Sequence, residues 1–192
     1  MTVMILGLVI FLGVHSVRIV ADDWRRERIA QWGEARWKAL YGLASLVGLG
    51  IAIWGFGLMR LDPLVVWTPP VAMRHLVALL MIPAFILLVA AYVPRNHFKA
   101  KLGHPMILGV KVWALAHLLA NGRLGDIVFF GAFLLWAVLD FRAARRRPAP
   151  APASAPPAMS ATLASLVIGV GAYAVFAFWL HRVLIGVPVM PA

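Results

Sequence analysis

Residues 103–122 read "GHPMILGVKVWALAHLLANG". Most of this stretch is apolar enough to cross a bilayer, yet it carries His104, Lys111, His117 and Asn121. An ionisable group in hydrocarbon costs roughly 3 kcal/mol or more, so one kept there has a partner or a task. On a helix, Met106, Gly109, Trp113, His117 and Asn121 recur every three or four residues and share a face. His104 and Lys111, seven apart, share a different one. A helix with two polar stripes needs protein around it. The stretch therefore predicts a central helix in an all-α, polytopic transmembrane bundle.

The flanking sequence agrees. Of 192 residues, 63% are hydrophobic and 13% charged, whereas a soluble domain is roughly half apolar and about a quarter charged. Six spans are expected, at roughly 3–21, 38–59, 71–93, 104–121, 125–141 and 161–186, most of them near the ~20 residues that cross a bilayer core. The opening "MTVMILGLVIFLGVHSV" lacks a basic leader and a small-residue cleavage site, and reads as a retained first span. Gly122 and Gly125 in "NGRLGD" suit a sharp reversal between the fourth and fifth spans. Residues 142–160, "RAARRRPAPAPASAPPAMS", read as an extended Pro/Ala linker. The chain thus divides into a five-span core at 1–141, a cytoplasmic linker at 142–160, and a sixth span with its tail at 161–192.

The net charge is +11, but the basic residues sit mainly in short connectors, with no aromatic-interleaved patch, so nucleic acid is not an expected partner. Their placement is topological instead. The first connector holds Arg25, Arg26, Arg28, Arg36 and Lys38; the third holds Arg95, Lys99 and Lys101; the fifth holds Arg142, Arg145, Arg146 and Arg147. The second and fourth hold only Arg60, Arg74 and Arg123. The positive-inside rule then puts the odd connectors in the cytoplasm and both termini in the periplasm of a bacterial inner membrane. With a rise of about 1.5 Å per residue, His15 and Lys111 lie about 9 Å from the cytoplasmic side and His117 roughly 18–20 Å. His104 falls near the cytoplasmic boundary, His75 and His181 near the outer one, and His97 in a solvated connector.

Several chemistries are excluded. Cysteine is absent, which removes disulfides, thiolate metal sites, iron–sulfur clusters, a cysteine nucleophile and haem attachment through CxxCH. The seven acidic residues include none deep in a span, so a carboxylate pair or a hard-metal site is missing. No HxH, HxxH or HxxxH spacing favours zinc on one helix. Imidazoles from different spans remain, and two of them are a usual protein contribution to a six-coordinate haem b. His15 and His117 suit that role, with Trp113 and Asn121 beside His117 and Arg18 one turn from His15, able to pair with a propionate. Against this, any one histidine could simply hydrogen-bond a carbonyl on a neighbouring helix. Lys111 could snorkel, Arg18 could be an interfacial anchor, and Trp113 could only pack.

The fourth span resembles the NnrU family, whose signature is similar to HPMxxGxxxWAxAHLxxNG; here His104–Gly122 reads "HPMILGVKVWALAHLLANG". "GVHSVR" at 13–18 and "LHRVLIGV" at 180–187 also match, so the resemblance covers all but the Pro/Ala linker. It implies a link to nitrite and nitric oxide metabolism in denitrifying bacteria. It also implies distant kinship with the haem-containing zeta-carotene isomerases, which have N-terminal extensions and a different region after the histidine span, so carotenoid isomerisation itself is not implied. By that resemblance His15 and His117 are the first candidate haem ligands. His104 falls in the HP motif and, with Lys111, lines the cytoplasmic approach. His104 and His181 are alternative ligands. Three functions follow: a haem-dependent membrane protein of nitric oxide or redox chemistry, an isomerase of a cis-polyene or isoprenoid lipid, or a non-enzymatic accessory factor. The expected partners are membrane lipid and a redox partner or the denitrification machinery.

Overall fold

The computed structural model describes residues 1–147 and 155–189. Within them the chain is helical: α1 (Thr2–Val20), α2 (Asp22–Trp32), α3 (Glu34–Met59), α4 (Val71–Tyr92), α5 (His97–Leu102), α6 (Pro105–Ala120), α7 (Leu124–Arg146), α8 (Met159–Val175) and α9 (His181–Ile185). A single π turn, Phe176–Leu180, joins α8 to α9. Five helices are long and apolar enough to cross a membrane, counting Met159–Ile185 as one. The sixth apolar helix, α6, has 16 residues and so is about 24 Å long, short of a full hydrocarbon core. Large apolar side chains face outward, with Leu46 70%, Val167 72% and Phe178 76% exposed. Water would oppose such a surface, whereas lipid accommodates it.

The described residues form two compact units, one of residues 1–67 and 122–144, the other of residues 68–121 and 145–192. In the first, α1 and α3 run antiparallel at very close range. Met4 abuts Gly55, Gly7 abuts Ala52, and a Cβ on Gly48 would lie 2.7 Å from the amide nitrogen of Phe11. Small residues permit that approach, and in lipid such contact is a main source of helix association. Phenylalanines bring α7 onto the pair: Phe133 stacks on Phe11, with ring centroids 5.7 Å apart, and Phe129 on Phe56, 4.9 Å apart. In the second unit α4 is central. Gly109 lets α6 approach the Ala84 carbonyl, and Gly169 lets α8 approach the Ile86 backbone. Val77, Met81, Ala84 and Ala116 form its buried core.

Three details differ from the sequence reading. The first connector is not merely a loop. Asp22 and Asp23 occupy the first turn of α2 and pair with Arg25 and Arg26 one turn on, which favours helix. Gly33, with φ +80°, breaks the chain between α2 and α3 as only glycine does readily. Secondly, α7 continues past 141 to Arg146, so Arg142, Arg145 and Arg146 belong to the helix rather than to a linker. Cations in the last turn are stabilised by its carbonyl end. Of the expected linker, residues 148–154 lie outside the described residues. Thirdly, Gly122 and Gly125 have no left-handed backbone. Gly122 is needed because any Cβ would collide with the Trp67 carbonyl, and Gly125 because Met59 packs over it. The Gly122 carbonyl accepts from the amides of Val66 and Trp67, at 2.8 and 3.1 Å.

Candidate functional site

His15 belongs to the first unit. Its Nδ1–H donates to the Phe11 carbonyl on its own helix, at 2.7 Å. A carbonyl can only accept, so the ring proton sits on Nδ1 and Nε2 carries the lone pair. No second hydrogen bond reaches this ring among the described residues. Three aromatic rings surround it: Phe11 at 4.2 Å between centroids, Tyr41 at 5.1 Å, and Trp136 edge-on at 5.9 Å. The Trp136 indole N–H is buried and finds no acceptor among the described residues. Leaving such a donor unpaired costs about 1–3 kcal/mol. Asp140 and Arg25 lie within electrostatic reach of Tyr41. Arg18 occupies the last turn of α1 and is exposed.

The second unit holds the other predicted residues. His117 stands in the last turn of α6. Its Nδ1–H donates to the Trp113 carbonyl at 2.8 Å, and the two rings lie 5.3 Å apart. Asn121 caps the helix, and its amide donates to the His117 carbonyl at 2.9 Å. Trp113, His117 and Asn121 thus form one linked stripe, as their spacing predicts. The imidazoles of His15 and His117 each bond a carbonyl on their own helix, four residues back. That bond fixes the tautomer and the ring orientation, as ligand histidines require.

His104 is the N-cap of α6, with Pro105 in the first helical positions, where a missing N–H leaves no gap. Lys111 is half-buried on α6, away from the His117 stripe. His181 follows the π turn, packs edge-on against Phe176 at 5.8 Å, and donates from Nδ1 to the Val187 carbonyl at 2.6 Å. His181 and His117 lie within electrostatic reach of one another. His97 is exposed and bonds Thr162 Oγ1 at 2.8 Å. Near His181 a cavity of about 190 Å³ is lined by Tyr173, Ala177, Phe178, Arg182, Pro188 and Val189. Cofactor pockets are nearer 300–1,000 Å³, so this one does not accommodate a porphyrin.

Among the described residues no three His, Asp or Glu side chains converge as a metal cage. The donor set suits a group needing only axial imidazole. The unpaired Trp136 N–H beside His15 also suits a cofactor with acceptors of its own.

Sequence reasoning missed three features. The π turn has no signature in residue type. Trp136 carries no sign of an unpaired N–H until its neighbours are known. The first connector, read as lacking an aromatic-interleaved basic patch, folds to set Trp24 and Trp32 on either side of Arg28.

Comparison with known families matches the NnrU protein model over residues 3–189. The chain belongs to the NnrU family. The match takes in the His104–Gly122 signature, both flanking segments and the helices of both units. No curated protein and no solved structure matches the NnrU chain described here.

Proposed function

We propose that this NnrU-family membrane protein binds haem b by embedded imidazole, with His15 and His117 the first candidate ligands, in the service of nitric oxide or nitrite metabolism. The observation that carries the reading is the shared tautomer. Each ring is anchored through Nδ1 on the carbonyl four residues back, which leaves the lone pair on Nε2. The metabolic role is what the resemblance to the NnrU family implies. The excess of basic residues in the odd connectors supports an inner-membrane orientation with both termini periplasmic.

Bound haem would supply a one-electron redox centre. The chain's own residues do the rest. The Phe11 and Trp113 carbonyls hold the protons on Nδ1, and Asn121 secures the helix end that carries His117. Phe11, Tyr41 and Trp136 pack around the His15 ring. Trp136 offers a donor that a porphyrin carboxylate would satisfy.

Absorbance of detergent-purified protein, expressed with ample haem, tests the reading. The wild type is expected to show a Soret band and low-spin spectrum, lost in His15→Ala and His117→Ala and retained in His97→Ala. Trp136→Phe should weaken haem retention without loss of helicity. Loss in His117→Ala and His181→Ala, with His15→Ala intact, would move the ligand pair to the second unit. Folded wild-type protein with no Soret absorbance refutes haem binding altogether.

A further inference from the structure

The connector between α1 and α3 is built around one arginine. Trp24, Arg28 and Trp32 stand four residues apart on α2, hence on one face. The Arg28 guanidinium carbon lies 5.9 Å from the Trp24 ring centre and 6.0 Å from that of Trp32. Trp37, from the first turn of α3, adds a third indole, 5.9 Å from Trp24 and 6.3 Å from Trp32. Two indoles thus flank a single cation, and a third packs against both of them.

The charge there is not met from within. Arg25 and Arg26 pair with Asp22 and Asp23, and Lys38 pairs with Glu34 at 2.8 Å. Arg28 forms no ion pair among the described residues; its Nη1 donates to Gln31 at 2.8 Å, and its Nε–H is buried without an acceptor. Glu27 is next in sequence but lies about 100° round the helix. A guanidinium held between rings presents its remaining N–H groups as a planar fork, the geometry that binds a phosphate through two bonds.

Position selects the source of that phosphate. α2 joins the ends of two membrane-crossing helices, which places it at the lipid–water boundary. Trp24 and Trp32 remain 45% and 39% exposed, and indoles settle at the headgroup level. A zwitterionic headgroup would bring a second cation to Arg28. An anionic one brings only negative charge, which basic interfacial segments attract.

We propose that α2 binds one anionic phospholipid, its phosphate held by Arg28 among the Trp24, Trp32 and Trp37 indoles. The full chain, purified in detergent, is titrated with phosphatidylglycerol or phosphatidylcholine of matched acyl chains and read by native mass spectrometry. The wild type is expected to retain phosphatidylglycerol in preference. Arg28→Gln should bind it about tenfold more weakly, the loss of one charge-assisted contact. Arg28→Lys, which keeps the charge but not the planar fork, should fall between. A large excess of inorganic phosphate should leave the lipid in place. Equal retention of the two lipids by the wild type, undiminished binding in Arg28→Gln, or displacement by inorganic phosphate would each overturn the proposal. If Arg28→Gln does not fold, the wild-type lipid comparison and Arg28→Lys decide it.

Discussion

Replacing Gly48 by alanine tests whether α1 and α3 are held by backbone contact. A methyl there would lie 2.7 Å from the Phe11 amide nitrogen and 2.9 Å from Ile10 Cγ2, whereas ordinary contact begins near 3.4 Å. The helices must therefore part by about 0.7 Å, or Ile10 must change rotamer. Such overpacking costs roughly 1–3 kcal/mol. Alanine recovers about 1 kcal/mol of helix propensity, so Gly48→Ala should destabilise by roughly 0–2 kcal/mol. Gly55→Ala, which drives a methyl into the Met4 backbone, should destabilise more. Gly50 is the control: a Cβ there meets nothing within 4 Å, and Gly50→Ala should stabilise by up to about 1 kcal/mol. Unfolding in mixed micelles with increasing SDS, followed by circular dichroism, measures all three variants against the wild type. If Gly48→Ala and Gly55→Ala are as stable as Gly50→Ala, glycine contact does not hold this pair and the reasoning fails.

Two further outcomes are expected. The chain has no cysteine, so single probes report without background: Lys101→Cys should react with an impermeant thiol reagent only from the cytoplasmic side, and Asp62→Cys only from the periplasmic side. The reverse pattern would invert the orientation. Lys111→Met should lower haem occupancy severalfold with helicity unchanged; full occupancy would assign Lys111 to snorkelling alone.

The sequence alone determined the class of fold, because hydrocarbon imposes a length and an apolarity that are visible residue by residue. It also removed thiolate chemistry, since cysteine is absent. The stripe of Trp113, His117 and Asn121 was legible because helix period converts spacing into adjacency, and the hydrogen bonds joining these residues follow it. Helix ends were less legible. Arg142 to Arg146 look like linker by charge, yet the carbonyl end of α7 stabilises them as helix. What α1, α3 and α7 place around His15 could not be read at all. Tyr41 and Trp136 are distant in sequence, and only packing brings them to that imidazole. The same holds for Gly122, whose reason is a carbonyl 55 residues earlier, at Trp67. The Trp136 N–H, unpaired among the described residues, is likewise a tertiary fact, as is the packing of Trp37 on the Trp24 and Trp32 indoles. Whether a polar group is satisfied depends on neighbours that chain order does not specify.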